Sequence, residues 1–139
     1  MQVQVNFLAV ILAAISSMAV GAFWYSKPVF RTDWQVLIKL TDKQLALRAT
    51  KALSIAFFTS IVMAYVLAHV IFLSNHFFKN SFFQDAVTTS VWMWLGFQGL
   101  RVLMHDTFEQ RRKKLTLINI GSDFTTIVIM GLIIGSIGI

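Results

Sequence analysis

The chain has no cysteine, which excludes disulfides, thiolate nucleophiles and cysteine metal ligands and leaves the redox compartment unmarked. Proline is nearly absent too: Pro28 alone lacks an amide hydrogen, so one helix break is built in and the rest of the chain is free to be helical. Charge is scarce, at 13% of 139 residues against about 25% in soluble domains. Acids are the scarcer sign, six against twelve Lys and Arg, for a formal charge of +6. No G-x-S-x-G, H-E-x-x-H, phosphate loop or dinucleotide fingerprint occurs.

What fills the chain instead is apolar: 57% of residues are hydrophobic and 14% aromatic, with a mean hydropathy of +0.72. That balance belongs to the membrane class, and the length suits one integral-membrane domain over residues 1–139. The hydropathy pattern predicts an all-α membrane protein. It has four transmembrane helices in a compact bundle, at about 5–26, 52–74, 86–104 and 115–137, with an amphipathic interfacial segment between the first two.

The first run, Val5 to Ser26, carries no charge. Its MQVQVN start has neither Lys nor Arg and the run exceeds a signal peptide's apolar region, so it is expected to span rather than be cleaved. Trp24 and Tyr25 close it with interfacial aromatics, and Ala13, Ser17 and Gly21 recur every fourth residue as a small-residue stripe. Lys27 to Lys51 then carries six basic residues among Val29, Phe30, Trp34, Val36 and Leu37, a composition suited to the interface with Arg31 and Lys39 toward headgroups. Thr41 and Gln44 fit a capping box, so a helix is expected to start near Asp42 and run into the second span. Asn75 to Asp85 reads as the outer connection.

Basic residues set the orientation. The first and third connections hold six and four Lys or Arg, the second holds Lys79 alone, and the tails hold none. The positive-inside rule places the first and third connections in the cytoplasm and both termini outside. Because the basic residues cluster between apolar runs, they mark topology, and nucleic acid is not an expected partner.

Polar residues inside the spans are the candidate site. Trp94, Gln98, Arg101 and His105 share one stripe of the third span, and Thr116, Asn119, Ser122, Asp123 and Thr126 one stripe of the fourth. Asp123 lies roughly 12 Å from the start of its span at 1.5 Å per residue. A mid-membrane aspartate costs roughly 2.5–3.5 kcal/mol, and its short side chain cannot reach the interface. It must be paired, protonated or wet. Antiparallel geometry brings Arg101 level with Ile118 or Asn119, which offers an Arg101–Asp123 pair supported by Asn119 and Gln98. His69 lies four residues from Tyr65 in the second span and reads as a neutral histidine bonded to a neighbouring helix, with a proton site as the lesser alternative. His105, Asp106 and Glu109 carry metal-capable groups, but no further cluster accompanies them. They read as solvated boundary residues, with Glu109 beside the neighbouring arginines, and neither a metal nor a cofactor is expected.

Several stretches resemble the bacterial integral-membrane family called domain of unknown function 1761. They are NFLAVILAAISSMAVGAFWYS, LTDKQL, AYVLAH, WLGF and FEQRRKKLTLINIG, and the resemblance extends over nearly the whole chain. The most specific are the WYS end of the first span and the L-x-L-I-N-x-G start of the fourth. Phe108, Glu109 and Arg111 or Arg112 match the family's pattern ahead of that span, whereas Lys113 and Lys114 stand where many members have a proline and an aromatic. The resemblance implies a multi-span protein of the bacterial inner membrane and no assigned reaction.

Three functions are open, in order of preference. The first is transport or binding of an ion or small molecule at the site between spans three and four, in a homo-oligomer, since four spans enclose little pore. The second is a structural, accessory or lipid-binding subunit in which the polar groups only hold helices together. The third is an intramembrane enzyme acting on a lipid or quinone, for which no convincing acid–base pair is present. The partners expected are the lipid bilayer and further copies of the chain, and the sequence names no ligand.

Overall fold

The computed structural model describes residues 3–138, and these are helical with no strand among them. Helix α1 is Phe7–Trp24, α2 is Arg31–Ile38 and α3 is Asp42–Phe78. A third apolar run comes next in three pieces: α4 (Phe82–Met93), a π-helical segment (Trp94–Gly99) and α5 (Leu100–Phe108). Helix α6 is Lys113–Ile137. Three helices, α1, α3 and α6, are long and apolar enough to cross a membrane. Within the run that carries the predicted third span, neither α4, of 12 residues, nor α5, of 9, is long enough alone.

Local chemistry sets the ends of these helices. Asn6 caps α1 by accepting from the amides of Leu8 and Ala9 at 3.1 and 3.3 Å. The capping box forms: Gln44 N donates to Thr41 Oγ1 at 3.3 Å, while Thr41 N donates to Gln44 Oε1 at 2.9 Å. Ser81 caps α4 through the Gln84 amide. Lys79, in the left-handed region at φ 57°, ends α3, so the outer connection is much shorter than the predicted Asn75 to Asp85.

The long helices form a four-cornered bundle in which α3 and α6 each pack against both α1 and α4. Its dry core is built from small side chains. Ala9 and Ala13 of α1, Ala64 and Ala68 of α3, and Ala86 of α4 are buried around Ile71, Met130 and Ile134. The stripe on α1 is used at Ala13 and Ser17, and Ser17 Oγ donates to Ser60 Oγ of α3 at 2.7 Å. At Gly21, the stripe's last member, the helix faces open space. Gly131 and Gly135 form the α4–α6 contact: a methyl on Gly131 would overlap the Ser90 hydroxyl, and one on Gly135 would meet Ala86 Cβ at 2.8 Å.

Below Ser60, α3 parts from the bundle. It has 37 residues, about 55 Å at 1.5 Å each, and Leu47, Leu53, Ile55 and Phe58 on its first half are exposed. A π turn inserts one residue and re-aims the helix downstream of it. Helix α4 packs on both α3 and α6, whereas α5 packs mainly on α6.

Candidate functional site

Three carboxylates are sequestered in the helices, and two of them are held. Asp85, 3% exposed, accepts from Asn75 Nδ2 at 2.8 Å and Asn80 Nδ2 at 2.9 Å, which clasps the α3–α4 hairpin. Asp106, 7% exposed, accepts from Thr116 Oγ1 at 2.7 Å and lies 3.6 Å from Arg111 Nε, which clasps α5 to α6. Burying a carboxylate is tolerated where charge-assisted hydrogen bonds replace its water, and both clasps meet that condition. Neither role was read from the sequence; the cues available were Thr116 ten residues after Asp106 and the Asn75, Asn80, Asp85 spacing of five.

The third is Asp123. Among the described residues it forms no ion pair and accepts no hydrogen bond, although it is half-buried on α6. It lines a cavity of about 260 Å³ together with Phe97, Gln98, Arg101, Val102, His105, Asp106, Glu109 and Arg111. The Asp106–Thr116 bond fixes the hairpin register. Counting away from it along both helices puts Arg101 opposite Gly121, within one turn of Asp123. The two charges therefore share a level and a cavity, yet they do not form the ion pair that the sequence offered. Arg101 is exposed, and its long side chain is free to stay in solvent.

The π segment forms one wall of this cavity. Trp94 lies over Gly99, where a Cβ would meet the indole at 2.9 Å, and its ring stands edge-on to Phe124 at 4.7 Å. Among the described residues two buried polar atoms here have no partner: Trp94 Nε1 and Gln98 Oε1. Such atoms are costly unless water or a ligand completes them, and π turns occur often at functional sites.

Two predicted members lie elsewhere. His69 is on α3, where Nδ1 is 3.0 Å from the Tyr65 carbonyl and its ring meets the Tyr65 ring at 4.3 Å. Its partner is thus the preceding turn of its own helix rather than a neighbouring one, because i and i+4 side chains stack on one face. Asn119 turns toward α1 and accepts from the Tyr25 hydroxyl at 3.1 Å. The boundary residues behave differently again: Glu109 pairs with Arg111 at 2.6 Å, and His105 lines the cavity. No group of three or more His, Asp or Glu among the described residues could hold a metal ion.

Trp24 and Tyr25, expected to serve as interfacial aromatics, bind α6 directly. Trp24 Nε1 donates to the Ile118 carbonyl at 3.0 Å, and the indole lies on Gly121, where a Cβ would stand 2.9 Å from Cζ2. Phe30 and Trp34 back these rings at 5.0 and 5.1 Å, and Lys114 Nζ reaches Asp33 of α2 at 2.9 Å. The aromatic end of α1, α2 and the start of α6 thus form one connected cluster. The two most specific sequence elements, WYS and L-x-L-I-N-x-G, are the two sides of this contact.

The chain belongs to the family described as "Protein of unknown function (DUF1761)", which matches residues 8–135. Comparison with curated proteins and with solved structures finds no match.

Proposed function

We propose that the protein is a four-span protein of the bacterial inner membrane that binds a small polar solute in the α5–α6 cavity and passes it across the bilayer as a homo-oligomer. The observation that carries this reading is Asp123. Asp85 and Asp106 are each completed by side chains of this chain, while Asp123 lines a cavity beside Gln98 and Arg101 with nothing bound to its oxygens among the described residues. A carboxylate kept only for packing would be expected to show partners like theirs.

In this reading the run Phe82–Phe108 is the third crossing despite its π segment, and α2 lies along the cytoplasmic interface. The same reading takes residues 1–139 as a single integral-membrane domain. The basic connections face the cytoplasm, so the cavity opens toward it, and a reporter fused after Ile139 is expected outside. The bare first half of α3 supports assembly, since a second copy would cover Leu53, Ile55 and Phe58. Proteoliposomes containing the wild-type chain should accumulate or bind a solute from a panel of small polar molecules, and Asp123→Asn should remove the effect while keeping the melting temperature. Absence of both binding and flux across the panel would leave the accessory-subunit reading in its place.

A further inference from the structure

Six ionisable side chains line the α5–α6 cavity: Arg101, His105, Asp106, Glu109, Arg111 and Asp123. Three of them satisfy one another, since Arg111 Nε lies 2.6 Å from Glu109 Oε2 and 3.6 Å from Asp106 Oδ1. Asp106 is further occupied by Thr116. Among the described residues this leaves three side chains unengaged, Arg101, Asp123 and the His105 imidazole; of these the guanidinium and the carboxylate lie near the same level of the hairpin and are not joined. Beside them Gln98 lines the same cavity, and its Oε1, sealed from solvent, has no donor among the described residues.

We propose that the cavity's solute is a small zwitterion, a molecule carrying one ammonium and one carboxylate on a short frame. The proposal rests on the reading of the cavity as a solute site and specifies the chemistry of its occupant. The ammonium has three donors and meets the Asp123 carboxylate, and a turn of the Gln98 side chain would bring Oε1 to it as a second acceptor. The carboxylate meets the Arg101 guanidinium, whose planar fork matches two carboxylate oxygens at once. A lone anion would leave Asp123 half-buried and uncompensated, and a lone cation would leave Arg101 unused. Only a solute with both charges engages Arg101 and Asp123 together. Size agrees: about 260 Å³ equals roughly nine water volumes of about 30 Å³, which leaves room for a small amino acid.

Equilibrium dialysis of the purified full chain tests this with three probes of similar length: β-alanine, propylamine and propionate. β-Alanine is expected to bind at least tenfold more tightly than either singly charged analogue. Arg101→Gln should cost β-alanine tenfold or more while leaving propylamine unchanged or improved, and Asp123→Asn should do the reverse, weakening β-alanine and sparing propionate. Gln98→Leu should weaken β-alanine and propylamine several-fold without touching propionate. Should Asp123→Asn fail to fold, the Arg101→Gln and Gln98→Leu arms decide alone. Propylamine or propionate binding as tightly as β-alanine to the wild type would overturn the zwitterion while leaving the cavity a solute site. No binding of any solute, here and across the broader panel, would overturn both.

Discussion

Gly121 sits where the aromatic end of α1 meets α6, and adding one methyl group there tests whether that contact is as tight as its geometry implies. The new Cβ would stand 2.9 Å from Trp24 Cζ2 and 3.3 Å from Cη2. The indole has little room to retreat, since Nε1 is bonded to the Ile118 carbonyl at 3.0 Å and Phe30 backs the ring at 5.0 Å. Overpacking of this kind costs about 1–3 kcal/mol, and straining the indole hydrogen bond adds about 0.5–1.5 kcal/mol. Against this, alanine gains about 0.8–1.0 kcal/mol over glycine in a helix. Gly21→Ala supplies the control, because it makes the same exchange in α1 with nothing within 4 Å of the new methyl. Reversible unfolding in mixed detergent micelles should therefore show Gly21→Ala neutral or stabilising and Gly121→Ala less stable than it by about 1.5–4.5 kcal/mol, the helix gain cancelling between the two. Equal stability of the two variants would refute the contact. Trp24→Phe, which removes Cζ2 and Cη2, should make a subsequent Gly121→Ala nearly harmless.

Thr116→Val keeps side-chain volume and removes the donor to Asp106, so the same unfolding assay should register a loss of about 1.5–3 kcal/mol. Gly131→Ala should destabilise by about 1–3 kcal/mol through overlap with the Ser90 hydroxyl, and Ser90→Ala should recover part of that loss in a double-mutant cycle. Arg31 and Gln35 donate to Asp42 at 2.9 and 3.2 Å, and these bonds hold its carboxyl below the usual carboxylate range. A lowered folded value means that the α2–α3 tie is intact above the ordinary carboxylate pKa and is lost as pH falls through the folded one. A carbon-detected titration should find the Asp42 midpoint below that of a free aspartate, and Arg31→Gln should move it back up.

The features legible in the sequence were those decided over short distances. Hydropathy found the apolar runs, and Thr41 with Gln44 announced the start of α3, because a capping box involves only four consecutive residues. Polar composition misled at the outer hairpin. Asn75 looked like a loop residue, yet it lies in the last turn of α3, and together with Asn80 of the short connection it donates to buried Asp85. Trp24 and Tyr25 fitted a generic interfacial role, and nothing local shows that their partners are Ile118 and Asn119, nearly a whole chain away. The level of Arg101 and Asp123 could be counted from the hairpin. Whether they touch depends on the angle at which α5 leaves the π segment, and the packing of Trp94 on Gly99 and Phe124 that accompanies it is a tertiary outcome.

The central claim is that Asp123 borders a wet cavity open to the cytoplasm, and the absence of native cysteine makes it directly measurable. Val102 lines that cavity, so Val102→Cys places one thiol in its wall, with Ile134→Cys as a buried control on α6. A membrane-impermeant thiol reagent should label the Val102→Cys chain in inside-out vesicles, spare it in right-side-out vesicles, and leave the Ile134→Cys chain unlabelled in both. Labelling of Val102→Cys from the outside only, or from neither side, would contradict the account.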